Sequence, residues 1–341
     1  MKRQNAMRMS CALLMMATGL TSTAMAQAAS TSTRRYQSGS WAEVLRVDAD
    51  HGHAFVNPHL LELSGDVLLV YDIGAKHVVA FSRDGRRLWK VGDDSSGVPI
   101  DSVMGLIGDG KGGGFVLDRM GRRLIIVSRG GKERERRELR PSVSRLARTT
   151  RGKLLAAEFF GGTVMTMERW SRQTGPTGVF IPTRQQLSDR VIIRFVSNPV
   201  FTSWDRVVLQ GFLDATEVRV LSASGAEQSR FELLDRQVAG GVVLPTIKPT
   251  VGTRLENEPS PRVLRAFTVD RDTLYVVDDR LNAVRPSIDL YGLPRGEYIV
   301  TRELPRAVKQ ARVDGEFLIT LIDGPTPGIV IWRWTSGAGD D

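Results

Sequence analysis

Gly65–Gly85, GDVLLVYDIGAKHVVAFSRDG, has a close counterpart in Gly113–Gly131, GGFVLDRMGRRLIIVSRGG. In both, an apolar strand ends in Asp (Asp72, Asp118) and a short polar turn follows. A second apolar strand then runs to a residue plus Ser (Phe81-Ser82, Val127-Ser128), and a Gly stands thirteen residues after the Asp. Such internal similarity is the signature of a repeat architecture. Weaker copies follow at Asp205–Gly225, whose VRVLSASG overlays VVAFSRDG, and at Asp272–Gly296, Gly152–Gly175 and Gly315–Trp334, for six units in all.

Each unit is preceded by a short strand candidate: His59–Leu63, Val103–Gly108, Ser144–Thr149, Pro199–Trp204, Leu264–Val269 and Val308–Val313. Most are followed by another: Arg86–Val91, Glu133–Leu139, Thr177–Ile181, Gln228–Leu233 and Tyr298–Leu304. Four short antiparallel strands per unit, punctuated by Gly and Asp turns, predict an all-β fold, a six-bladed β-propeller of four-stranded blades. The sixth unit lacks a strand, because after Trp334 the chain runs out in SGAGDD, whereas Ser40–Asp48 (SWAEVLRVD) is a strand candidate without a unit. The expectation is that this N-terminal strand completes the last blade and closes the ring, hiding an open edge. A twin β-sandwich also uses many short strands but explains neither the Asp-to-Gly spacing nor the complementary ends. No stretch sustains an amphipathic helical pattern over three turns.

The segment VYDIGAKHVVAFSRDG (Val70–Gly85) resembles an NHL-type repeat, well in the first two units, less in the fourth and fifth, poorly in the third and sixth. The resemblance implies a six-bladed propeller of the NHL and TolB-like kind. Such propellers mostly bind proteins, peptides or glycans. A minority are lactonase-like or arylesterase-like hydrolases or peptidylglycine lyases that hold calcium or zinc in the central channel. Those enzymes would present acidic and Asn ligands from separate blades. Here the only Asn residues near blade starts or turns are Asn57, Asn198 and Asn282, so no ligand set carries over. The expected function is non-catalytic binding or scaffolding at the loop-bearing face, the alternative a metal-dependent hydrolase or lyase at the channel mouth.

The 341 residues are 41 % hydrophobic and 25 % charged, which excludes a disordered or collagenous chain. Lys2, Arg3 and Arg8 precede the apolar run Cys11–Leu20, and Ala24-Met25-Ala26 follows it. That order reads as a cleavable secretory signal over 1–26, followed by a flexible lead-in at 27–39, one propeller domain at 40–334 and a disordered tail at 335–341. The run is too short to span a bilayer, and Cys11 opens it where a lipoprotein cysteine would follow it. The protein is thus expected in the periplasm or medium, as a monomer without a transmembrane segment. Nucleic acid is not an expected partner, nor is any disulfide, since Cys11 is the single Cys.

The net charge of +9 is unevenly spread. Removing the signal leaves 44 basic against 38 acidic residues, and Arg119–Lys153 alone holds thirteen basic and three acidic ones. The strand KERERREL (Lys132–Leu139), charged on both faces, is an ordinary guarded edge. Arg140, Arg145, Arg148, Arg151 and Lys153 form the candidate patch for an anionic envelope surface, with a solvated basic face as the alternative.

All four histidines, His51, His53, His59 and His77, fall at the start of the first unit or in its turn, on one expected rim. They are the candidate metal ligands, for zinc or another transition metal, though no HExxH spacing accompanies them. The rim residues taken as candidate ligand contacts are His53, His59, Asp72, His77, Asp118, Arg119, Glu158 and Asp278. Carboxylates around a channel could hold calcium, but a strand-end Asp more commonly accepts bonds from its own turn. The glycine-rich stretch Gly110–Gly114 lacks the Gly-Lys-Ser/Thr order of a phosphate loop. The long connections Ile181–Asn198 and Leu234–Arg262 break the period.

Overall fold

The computed structural model describes residues 34–92, 97–118, 121–139, 143–149, 151–152, 154–158, 164–166, 184–187, 190–193, 199–212, 215–234, 264–278 and 286–337. Strand β1 (Gly39–Val47) comes first. The first blade is β2 (Pro58–Ser64), β3 (Val67–Asp72), β4 (His77–Ser82) and β5 (Arg87–Val91). The next is β6 (Val103–Gly108), β7 (Gly114–Asp118), β8 (Arg123–Val127) and β9 (Glu133–Glu138). A three-stranded sheet follows, β10 (Val143–Arg148), β11 (Leu154–Glu158) and β12 (Val164–Thr166), then a hairpin of β13 (Arg184–Leu187) and β14 (Arg190–Ile193). Two further blades are β15 (Pro199–Trp204), β16 (Val207–Phe212), β17 (Ala215–Leu221) and β18 (Glu227–Glu232), and β19 (Leu264–Asp270), β20 (Thr273–Asp278), β21 (Ser287–Gly292) and β22 (Glu297–Glu303). In the last, β23 (Gln310–Asp314), β24 (Phe317–Ile322) and β25 (Gly328–Ser336) are completed by β1.

The protein is an all-β propeller with four-stranded antiparallel blades, but among the described residues there are five of them and not the expected six. The third unit is where the expectation fails. It places Glu158 where the strong units have Asp and lacks their Ser-x-x-Gly turn, and among the described residues it forms only the three-stranded sheet β10–β12. Its expected outer strand Thr177–Ile181 lies outside the described residues. Within the connection expected at Ile181–Asn198 the chain forms the β13–β14 hairpin, while all but Leu234 of the connection Leu234–Arg262 is outside them. The first strands β2, β6, β10, β15, β19 and β23 each contact the next, and β23 contacts β2, so they encircle the channel. No described helix is long and apolar enough to cross a membrane.

The core lies between blades. Every residue of β3 is buried, so VLLVYD reads as a continuous apolar run where a one-sided strand would alternate. Val67, Leu69 and Tyr71 pack with Val103, Val116 and Ile125 of the next blade, while Leu68 and Val70 pack with Ile319, Leu321 and Ile329 of the last.

The repeated Gly has a local cause. Gly85, Gly131 and Gly225 sit at φ of 82°, 76° and 86°, a left-handed conformation that favours Gly. Each donates its N–H to the carbonyl of the Ser three residues earlier, closing the turn onto the outer strand.

Ring closure by the N-terminal strand is present in full. β1 pairs with β25 from Gly39↔Ser336 to Val47↔Ile329, with an irregularity between Glu43 and Leu45. Upstream, Tyr36 bridges Thr301 of β22, and Arg34 forms an ion pair with Asp289 at 3.1 Å. The Arg302 guanidinium stacks 4.7 Å from the Trp334 ring, which meets Trp41 edge-on at 5.0 Å. Residues 34–47 therefore bind two neighbouring blades. A chain without them is expected to unfold at lower urea and to self-associate through the uncovered edge of β25. Unfolding midpoints and light scattering against concentration test this; an equally stable, monodisperse truncation would show that β1 does not seal the ring.

Candidate functional site

The loops that lead into the blades, together with the turns between second and third strands, form one rim. Asp72, at the end of β3, is fully buried there. Its carboxylate accepts from the lead-in loop, Val56 N–H at 2.7 Å and Asn57 N–H at 2.8 Å, and from its own turn, Gly74 N–H at 3.1 Å and Ala75 N–H at 3.2 Å. Asp118 repeats the arrangement in the next blade, taking the N–H groups of Asp101, Ser102 and Gly121 and Nε of Arg123 at 3.0 Å. Each aspartate thus staples two loops with one carboxylate, which goes beyond the turn bond expected from the sequence. The stapled loops hold Val56, 66 % exposed, and Ile73, 38 % exposed, at the surface. Val56 packs on Gly74, where a Cβ would come within 2.5 Å of its Cγ1.

The histidines occupy different surroundings. His51 Nδ1 lies 2.7 Å from Asp48 Oδ1 in a short 3-10 turn capped by that aspartate. Burial works to raise the Asp48 pKa, but His51 and Arg46 outweigh it and hold the carboxyl below its ordinary value. His53 turns inward, edge-on to Phe55 at 4.5 Å and Phe81 at 5.0 Å, and its buried Nε2 makes no hydrogen bond. Burial, with help from Arg87, His77 and Lys90 and against Asp72, pushes its pKa down. His77 opens β4 opposite Asp72, and His59 lines the channel. Among the described residues no three His, Cys, Asp or Glu side chains gather into a metal-holding group.

The other expected residues divide. Glu158 and Asp278 are the last residues of β11 and β20, and their side chains lie outside the described residues. Arg119, Arg140 and Lys153 lie outside them altogether. Arg151 is exposed, while Arg145 and Arg148 line the central channel. On β9, Arg136 pairs with Glu133 and Arg137 with Glu135, each at 2.6 Å. The glycine-rich stretch is the β6–β7 turn. Its amides are already bound, those of Lys111 and Gly113 to Asp109 and those of Gly110 and Gly112 to Ser64 Oγ.

The channel, with a volume of ≈ 560 Å³, is lined by the six inner strands β2, β6, β10, β15, β19 and β23. Their inner edges present backbone groups that no strand pairs, and long polar side chains reach some of them. Gln310 Oε1 accepts from Leu61 N–H at 2.9 Å, and Arg145 donates to the Met104 carbonyl at 3.1 Å. Arg312 pairs with Glu62 at 3.0 Å, and Lys309 bridges Asn57 at 2.7 Å and Asp323 at 3.1 Å. Glu62, Lys309, Gln310 and Arg312 were not among the sequence candidates. The available signal was polar residues inside otherwise apolar first strands, as in HLLELS and VKQARVD.

No protein-family model and no curated protein matches the chain. Among solved structures, selenomethionine-substituted virginiamycin B lyase from Staphylococcus aureus is similar at 15 % identity with a TM-score of 0.50, over 90 % of this chain and 96 % of that one. The β-propeller domain of Myceliophteria thermophila Cps50 (Swd1) is similar at 10 % identity and a TM-score of 0.49, over 87 % of this chain and all of that domain. The first likeness shows the propeller fold and nothing finer; the NHL and TolB-like resemblance is not shown by either.

Two outcomes follow for the rim. Asp72→Ala strands several backbone N–H donors and is expected to cost on the order of 3 kcal/mol in urea unfolding, against less than about 0.5 kcal/mol for exposed Val56→Ala. For His53, the unfolded imidazole ionises at its ordinary value while the folded one resists the proton. Stability should therefore be full above about pH 7 and fall as pH drops through about 6.5 toward the lower folded value. His53→Phe should flatten that part of the profile; an unchanged slope would assign it elsewhere.

Proposed function

We propose that this protein is an exported binding propeller, non-catalytic, that holds a protein, peptide or glycan ligand on the rim of the lead-in loops. One observation carries the reading: Asp72 and Asp118 each tie two loops of that rim together, and on it Val56 and Ile73 stay exposed. Preordered loops lose little conformational freedom on binding, and exposed apolar side chains on a fixed frame suit recognition. The propeller fold is consistent with a scaffold of this kind. Export rests on the basic, apolar and small-residue order of the first 26 residues.

Binding of the purified chain to peptide and glycan arrays tests it. The pair Val56→Asp and Ile73→Asp should weaken the captured ligand at least tenfold, whereas Val44→Asp on the outer strand β1 should not. Equal loss from Val44→Asp, or none from the rim pair, would remove the rim from the reading. Metal analysis of the same protein tests the hydrolase or lyase alternative. A stoichiometric calcium or zinc, lost on substituting His53 or His59, would favour that alternative over a pure binder.

A further inference from the structure

We propose that the central channel is itself a binding site for a small multivalent anion bearing carboxylate or phosphate groups, distinct from the rim surface and resting on the reading of the protein as a binder. The charged residues lining it, among those described, are four cations, Arg145, Arg148, Lys309 and Arg312, and one carboxylate, Glu62. Adding Asp323, which lies against Lys309, still leaves four against two. In a narrow cavity walled by low-dielectric protein, such an excess sums to a positive potential and draws anions inward.

The donors are of the right type. Guanidinium groups bind carboxylate and phosphate through paired N–H bonds, and three of the four cations are Arg. Arg145 and Arg148 stand three residues apart on β10, about 10 Å along the strand and on opposite faces of it, so only a ligand with more than one negative group can engage both. Both side chains are half-buried. The Arg148 guanidinium rests beside Gly110, where a Cβ would lie 3.2 Å from Nη1, so the bare glycine gives it room at that end of the channel. Thr202, Ser203 and Thr268 line the same space. A volume of ≈ 560 Å³ is in the range of small-molecule pockets.

Of the basic surplus that the sequence places around Arg119–Lys153, Arg145 and Arg148 line the channel. That argues for a soluble anion threading the ring over attachment to an anionic surface.

Calorimetric titration of the whole chain with citrate and with tripolyphosphate, and with maltotriose as a neutral ligand of similar bulk, tests the site. At least one anion should bind, weakening as salt rises, and maltotriose should not. Which anion binds more tightly tells carboxylate from phosphate preference. Arg148→Ala should weaken binding tenfold or more, and the pair Arg145→Ala and Arg148→Ala should abolish it. Glu62→Gln should strengthen it severalfold, an effect of opposite sign that loss of folding cannot produce. Arg129→Ala, at an exposed Arg paired with Asp66 outside the channel, should change nothing. No anion binding by the folded wild type, or binding that the β10 pair leaves intact, would overturn the proposal. Rim-ligand binding measured on the same variants keeps the two readings apart: its survival in the Arg145/Arg148 variant would show that only the channel site had failed.

Discussion

Val67, Leu69 and Tyr71 face one neighbouring blade and Leu68 and Val70 the other, so β3 is dry only while both neighbours are in place. The same holds for β24, where Leu318 and Ile322 pack toward the β19–β22 blade and Ile319 and Leu321 toward the first. Burial on two faces makes each blade's stability a property of the ring, because a lone blade would expose a whole layer of apolar side chains to water. That constraint explains the role of β1. The last blade must be complete if its middle strands are to be covered, and the missing strand comes from the opposite end of the chain. Arg34, Tyr36 and Arg302 fix that segment across two blades.

At shorter range the rim is organised by single carboxylates. Asp72 and Asp118 each gather donors from two loops that arrive from different parts of the chain. A buried carboxylate satisfied in this way orders the loops without any further packing, since each lost bond would leave a buried polar group unpaired. Exposed apolar side chains can then sit on the rim without being drawn into a core. The channel meets its problem differently. Its inner strand edges cannot pair with one another around the circle, and Gln310 and Arg145 satisfy part of them from the side chain. The same long polar side chains give the channel its chemistry.

Much of the strand plan was legible. Five of the six inner strands begin within two residues of the sequence expectation, and the sixth, β10, does so even though its sheet falls short of a blade. The reason is that strand periodicity and Gly turns at φ near 80° are local demands, met by the residues that carry them. The blade count was not legible, because the third unit does pair its Val164–Thr166 strand with β11 as the other units do, yet among the described residues its sheet has no fourth strand. The site was read only in part. Asp72 stood out through its spacing, but its hold on Val56 and Asn57 needed the fold, as did the inward placement of His53.

By itself the sequence determined the all-β class, the strand order, the left-handed Gly turns and the need for an N-terminal strand at the C-terminal end, since these follow from periodicity, turn chemistry and a missing strand. Only the tertiary structure decided that Arg145 and Arg148 line the same channel as Lys309, Arg312 and Glu62. A strand's pattern tells which residues alternate, but not what stands opposite its free edge. That is fixed by ring closure, which brings residues as far apart as Leu61 and Gln310 within 2.9 Å.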